Sequence, residues 1–415
     1  MIRMVLTGLE TLEIQKLQED ELVAGDNDVL MDILTCAVCR TDAKMWEQGH
    51  RDLVFPRVLG HEMVVRDRGK NIFTVWPGKS CGNCAYCRKG RENLCENMKI
   101  TGFHQDGGFS HKIIVPQKSL IPLPQNMDPV VACFAEPVGC VVNAFERLPH
   151  EPGARVLIFG GGTIGLITAL YAKSLNLAPL VIEKHEDKIC RVADFASACT
   201  IPIVKGTRES RFDIVINACP DYTAFAQAVA KVDKAGHISF FSGITKNKEI
   251  ETNLINLVHY KEAVIAGAYG MKKRDMEKGL SFIQDHEKPL GLLVEEVLAP
   301  ESAPSLMAKV LSGKHLKYVL DFSGKLQKSN GKGYSPKAIL ENQVNDNARP
   351  EKDFLKTLPE SGLCRKVIAS VRPLDKTILP RAVTKMDNKT KPLGALGRLE
   401  DLGIRMSMIQ NSLSP

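Results

Sequence analysis

The sequence predicts an α/β protein: a β-rich N-terminal part that carries metal-binding side chains, a doubly wound parallel sheet behind it, and a helical C-terminal tail. Three observations predict it. An apolar strand over 155–159 runs straight into Gly160-x-Gly162-x-x-Gly165 and then a helix-forming stretch over 166–173, the strand–turn–helix order of a phosphate-binding crossover. Short apolar strands and helices then alternate: a strand over 180–183, one over 212–217, a helix over 222–231, and strands over 236–241 and 263–267, which is the sequence of a parallel sheet with helices on both faces. Before residue 110, alternating strands are interrupted by clusters of cysteine, histidine and carboxylate.

Size and composition bound the rest. A chain of 415 residues is longer than one ordinary domain, and 44% hydrophobic residues supply a full core. The first residues contain no long apolar run, so neither a signal peptide nor a membrane span is expected. Twelve cysteines without a secretory signal point to a reducing, cytoplasmic setting. The net charge of +7 comes from residues beyond 324, the preceding part being close to neutral. Those basic residues are scattered among Leu, Ile and Pro with few aromatics, which fits a solvated surface; neither nucleic acid nor membrane is expected as a partner.

The N-terminal part begins with alternating residues over 1–35, a turn at Gly25-Asp26-Asn27-Asp28 and a strand over 29–34. Cys36, three residues before Cys39, is expected to pack in the core. Cys39, His61 and Glu62 are a thiolate, an imidazole and a carboxylate, the mixed donor set of zinc sites that keep an open position. Cys81, Cys84, Cys87 and Cys95 lie within fifteen residues. Their two-residue gaps let a turning backbone aim successive sulfurs at one point, and a closed four-sulfur site holds a structural zinc.

The glycine turn has three separate duties. Gly160 makes the tight turn, Gly162 lets a pyrophosphate approach the helix N-terminus, and Gly165 allows close packing of helix on strand. Glu183 closes the next strand, where a carboxylate accepts from the ribose hydroxyls and favours NAD. Lys184 and His185 beside it leave NADP open.

These motifs stand in a telling order: Cys39-x-Thr41-Asp42, Gly60-His61-Glu62, the four cysteines, Asp106-Gly-Gly108-Phe109, Glu136-Pro137 and Gly160-Gly-Gly162-Thr163-Ile164-Gly165. So ordered, residues 1–324 resemble the zinc-dependent medium-chain dehydrogenase/reductase superfamily, most of all its sorbitol and threonine dehydrogenase branch. The resemblance implies a GroES-like catalytic domain over 1–145, a Rossmann domain over 146–290, a return to the catalytic domain over 291–324 and a linker over 325–335. It implies catalytic-zinc positions at Cys39, His61, Glu62 and Glu136, with either glutamate binding the metal at different moments of turnover. Thr41 is implied to pass the alcohol proton towards solvent, and Asp42 to orient the histidine ligand. Arg40, Gly160, Gly162, Thr163, Ile164, Gly165, Glu183 and Lys188 are the implied cofactor positions. The function expected is hydride transfer between a secondary alcohol (a polyol, hydroxy amino acid or amino alcohol) and NAD(P), with two zinc ions per chain in a homodimer or homotetramer. Glucose oxidation on the same fold is the alternative.

Two departures from the family pattern bear on the substrate cleft. Only eighteen residues separate Glu62 from Cys81, and residues 187–213 are short for a full helix and strand. Residues 387–400 and 408–415 resemble the start of nicotinate-nucleotide:dimethylbenzimidazole phosphoribosyltransferase, an enzyme of cobalamin assembly. That family's catalytic carboxylate lies downstream of the part matched, so 336–415 is expected to be a packing or oligomerisation segment, as in an incomplete fusion. Its expected helices span 382–389 and 399–409.

Overall fold

In the computed structural model, residues 1–244 and 247–325 are described; the helices expected at 382–389 and 399–409, and the linker and tail, lie outside them.

Two sheets organise the body of the chain. The N-terminal one is a seven-stranded sheet with the strand Asp28–Val38 at its centre. This strand pairs antiparallel with Glu62–Arg66 on one side. On the other it pairs with Lys112–Pro116 along its first half and Lys317–Asp321 along its second. Flanked on both edges, its second half is buried without a break from Ile33 to Val38, which explains why the strand runs past the expected end at residue 34 to Val38. A side sheet of Ile2–Gly8, Thr11–Lys16 and Arg57–Val58 packs beside it.

The second sheet has six parallel strands in the order Ile203–Val204, Ala178–Ile182, Arg155–Phe159, Phe212–Asn217, Val232–Phe240 and Val264–Gly267. The order reverses beside Arg155–Phe159. In open parallel sheets a ligand crevice forms at such a reversal, beyond the carboxyl ends of the strands. The expected strands over 155–159 and 212–217 and the helix Tyr222–Lys231 stand as read. The short stretch after residue 186 keeps a reduced form of its unit: two brief helices, Glu186–Arg191 and Ala193–Cys199, then a strand of two residues. Too few residues are present there for a full turn count and a full strand.

The helix Ala135–Phe145 is buried almost all round, as a helix with an apolar circumference must be. It crosses Lys273–Asp285 so closely that a Cβ on Gly139 would stand 2.8 Å from Met276. The last strands, Val294–Leu298 and Lys317–Asp321, join the N-terminal sheet, and Lys317–Asp321 pairs with the stretch that leads into Cys39.

Candidate active site

Cys39 sits where the central strand ends, and it N-caps the helix Arg40–Gln48. Its sulfur accepts from the Thr41 amide at 3.4 Å, and Asp42 reaches back to the Cys39 amide at 2.9 Å. This reciprocal cap fixes the thiol at the strand's carboxyl end. The other oxygen of Asp42 accepts from the Gly60 amide at 3.2 Å and lies 3.2 Å from His61 Nδ1. That approach is off the linear hydrogen-bond direction, since Nδ1 makes no well-aligned bond. Burial opposes charge on His61, but Asp42 and Cys39 outweigh it and hold the imidazole well above its ordinary pKa. With Nδ1 turned to Asp42, Nε2 is the nitrogen left for a metal.

The Asp106-Gly-Gly-Phe109 motif explains itself here. Gly60 has φ +94, and a Cβ on it would meet the Phe109 ring at 2.6 Å; a Cβ on Gly107 would stand 2.2 Å from the Gly60 carbonyl oxygen. The two backbones lie against each other, and Asp106 ties them by accepting from Arg57 at 2.8 Å and from the Val58 amide at 3.1 Å.

Cys39, His61 and Glu62 bring their ligand atoms within 4.8 Å of one another. Glu136 lines the same cleft, at the first turn of its helix, but stands outside that trio. Burial and the neighbouring Glu62 push its carboxyl up to about 7, against the pull of His61 and Lys317. Glu62 is committed elsewhere: the buried Lys317 ammonium donates to both its oxygens, at 2.8 and 2.7 Å. Lys317 escaped the sequence reading. Its signal was a lysine placed in the apolar run Leu316–Phe322, where a charge demands a buried partner. A soft thiolate, an oriented imidazole and the Glu62 carboxylate fit zinc, with Glu136 on the wall of the same cleft.

The four cysteines converge. Their recorded sulfur separations are 3.4, 3.5 and 4.0 Å, against about 3.8 Å across a zinc tetrahedron with 2.3 Å bonds. Amides of Cys81 and Asn97 point at the Cys95 sulfur, at 3.2 and 3.4 Å. Backbone amides around Cys81 and Cys84 lower their thiols, while burial and the neighbouring sulfurs push the Cys87 thiol up, the mutual opposition of four sulfurs that a cation would relieve.

At the sheet reversal the glycine turn behaves as its spacing demands. Gly160 has φ +112, and a Cβ on Gly165 would stand 1.9 Å from the Gly160 carbonyl oxygen, while Gly162 has nothing within 4 Å. The open side of Gly162 is the N-cap of the helix Thr163–Ser174, whose first turn has no side-chain cap. Its free amides are where a phosphate would sit. Buried Glu183 accepts from the Gly161 amide at 3.1 Å and the His185 amide at 3.0 Å, and pairs with Lys188 at 2.6 Å. Burial alone would raise its pKa; Lys188 and the amides win and lower it. Thr163, Ile164, Glu183 and Lys188 line one cleft of about 1150 Å³ together with Arg40, Thr41, Cys39, His61, Glu62 and Glu136. Asp42 lies behind that wall, fully buried. Gly162→Ala is therefore expected to keep stability within about 0.5 kcal/mol while weakening dinucleotide binding about tenfold or more. Thermal unfolding and a fluorescence titration with the cofactor check the two halves.

Known proteins resemble the chain in sequence and in fold. Residues 25–125 match the alcohol dehydrogenase GroES-like domain. The body of the chain is homologous to the zinc-type alcohol dehydrogenases. L-galactonate-5-dehydrogenase of Escherichia coli K12 is 28% identical over 309 residues, 72% of this chain and 84% of the relative. L-threonine 3-dehydrogenase of a Chelativorans species is 26% identical over 330 residues, 72% of this chain and 92% of the relative. A zinc-binding dehydrogenase of Sinorhizobium meliloti, solved with NADP, superimposes with a TM-score of 0.67 at 21% identity over 77% of this chain and 98% of its own. Over its body the chain is thus similar to zinc-type alcohol dehydrogenases, and it shares the fold of a zinc-binding dehydrogenase that holds NADP. Residues 371–415 match a phosphoribosyltransferase model. Among the described residues no helix is long and apolar enough to cross a membrane.

Proposed function

We propose that this dehydrogenase oxidises the secondary alcohol of a polyol, hydroxy amino acid or amino alcohol with NAD(P), and that Cys39, His61 and one of Glu62 and Glu136 hold the catalytic zinc. The observation that carries the reading is one cleft shared by the thiolate–imidazole–carboxylate cluster and the glycine turn. Both reacting carbons can occupy it at once. Zinc supplies Lewis acidity that lowers the proton affinity of an alcohol oxygen. The chain does the rest. Asp42, 3.2 Å from Nδ1, draws that side of the His61 ring towards itself and leaves Nε2 for the metal. Thr41, two residues beyond the thiol cap, lines the cleft and relays the alcohol proton towards solvent, its hydroxyl releasing its own proton as it accepts that one. Trp76, Met98, Ile100 and Phe103 line the cleft with apolar surface and exclude water from the hydride path. The Thr163 and Ile164 amides receive the pyrophosphate, with Arg40 as its cation, and Glu183 with Lys188 grips the adenosine ribose.

The named reactions of the two relatives, at C5 of galactonate and C3 of threonine, both concern secondary hydroxyls and support the substrate class. The test is formation of reduced nicotinamide with threonine, aminopropanol, sorbitol, xylitol, galactonate and glucose, with and without a zinc chelator. Chelator-sensitive turnover of one secondary alcohol is expected. Oxidation of glucose alone, or silence in protein that retains two zinc ions per chain, contradicts the reading. The phosphoribosyltransferase match supports a second reading, a fusion acting in cobalamin assembly; turnover confined to aminopropanol would favour it.

The oligomer we propose is a dimer through Val264–Gly267, the last strand of the six-stranded sheet, which is paired on one side only. Val264 and Ile265, with Ile255 and Tyr260 of the adjoining helix Thr252–Lys261, are exposed, an open apolar edge suited to a second copy. Ile265→Lys should convert a dimer to a monomer in sedimentation velocity; a monomeric parent protein contradicts it.

A further inference from the structure

Residues 268–271 leave the last strand of the six-stranded sheet and run along the cleft before the helix Lys273–Asp285. Their carbonyls are held by side chains from three separate elements. Asn93 Nδ2 donates to the Tyr269 carbonyl at 2.9 Å. Asn143, on the helix that carries Glu136, donates to the Gly270 carbonyl at 2.9 Å and more distantly, at 3.4 Å, to that of Tyr269. The Trp76 indole donates to the Met271 carbonyl at 3.2 Å. Asn143 and Trp76 belong to the packed body of the protein. Asn93 belongs to the cysteine lobe, in the turn Glu92–Leu94 immediately before Cys95. Asn93, Tyr269, Gly270 and Met271 all line the cleft that contains Cys39, His61 and Glu136.

We propose that the four-cysteine lobe is a positioning device for the cleft wall, and that Asn93 is the residue through which it acts. Filling the four-sulfur site fixes the 81–95 loop, and with it the Asn93 amide. That amide holds the Tyr269 carbonyl, and with it the backbone of a residue that is 54% exposed and lines the cleft. A lobe with no open coordination position performs no chemistry; here it acquires a second task, setting the grip on the far end of the substrate. Gly270, at φ +56, lets the chain turn directly after the held carbonyl. Loss of the lobe's metal would remove the shorter of the two side-chain bonds to the Tyr269 carbonyl, leaving the 3.4 Å approach of Asn143, while Gly270 and Met271 stay held from the body. The structural part of this inference stands without the proposed substrate; only its kinetic consequence rests on that reading.

The experiment is hydrogen exchange by mass spectrometry on the full chain, with zinc counted in each sample, for the parent, Asn93→Ala, Cys95→Ser and the double variant. Asn93→Ala should keep both zinc ions yet exchange about five-fold faster over residues 268–272, because the untethered loop opens more often and exposes the Ala268 and Lys272 amides, the effect of one net hydrogen bond. Cys95→Ser should lose one zinc and show the same acceleration, and the double variant should be no faster than Cys95→Ser. Exchange in the six-stranded sheet should not change, which reports an intact fold. Unaltered exchange at 268–272 in Asn93→Ala, or two accelerations that multiply, overturns the proposal. If Cys95→Ser does not accumulate, Asn93→Ala decides alone. With an alcohol that is turned over, Asn93→Ala should raise KM about five-fold with kcat within about twofold. A protein silent on every alcohol would sink the substrate reading and leave the exchange result intact.

Discussion

Replacing Cys39 with serine should lower turnover by about a thousandfold or more and reduce the zinc content from two ions per chain to one. Serine is the informative choice. The Cys39 sulfur also caps the helix Arg40–Gln48 by accepting from the Thr41 amide, and a serine hydroxyl performs that task well. Fold and cap therefore survive while the soft ligand is lost. Lewis-acid activation of an alcohol contributes several kcal/mol to the barrier, and each ~1.36 kcal/mol is a factor of ten in rate. Metal analysis and single-turnover kinetics on the same sample check the two halves. A Cys39→Ser protein that keeps two zinc ions and most of its rate would remove the thiolate from the proposed site.

The second large effect concerns Lys317. Lys317→Met preserves volume but leaves the Glu62 carboxylate, 1% exposed, without the ammonium that engages both its oxygens. A buried ion pair contributes little net stability, yet breaking one by removing a single partner costs about 3–5 kcal/mol. In zinc-stripped protein the variant should lose that much in urea unfolding. Glu62→Gln/Lys317→Met should recover most of it, because no uncompensated charge remains. Zinc-loaded protein should suffer less, since Glu62 has a metal position within reach. Equal stability of the single and double variants would show that Glu62 is not the group Lys317 serves.

Much of the site was legible because its spacing is dictated by chemistry. Four sulfurs aimed at one ion need short turns, and the structure converges Cys81, Cys84, Cys87 and Cys95. A pyrophosphate needs bare backbone, and Gly162 has open space where Gly165 has none. The pairing of Cys39 with His61 was readable for the same reason, and Asp42 joins the two. The parts that escaped are those set by long-range packing. Lys317 lies 255 residues from Glu62, and no local pattern announces that partnership. The central strand outran its expected end because its second half is paired on both edges, a tertiary fact. The stretch after residue 186 was rightly read as short, but the division into Glu186–Arg191 and Ala193–Cys199 had no punctuating glycine or proline to mark it. Asn93 lies between two cysteines with nothing local to mark it; only the arrival of Tyr269 from 176 residues away gives it a task.

The most direct test is anomalous diffraction at the zinc edge on crystals grown with dinucleotide. The account predicts two peaks per chain, one among the sulfurs of Cys81, Cys84, Cys87 and Cys95, the other between the Cys39 sulfur and the His61 ring, facing the nicotinamide. A single peak in the cysteine lobe, with Cys39 and His61 bearing no metal, would contradict the central claim that this cleft is the active site of a zinc-dependent alcohol dehydrogenase.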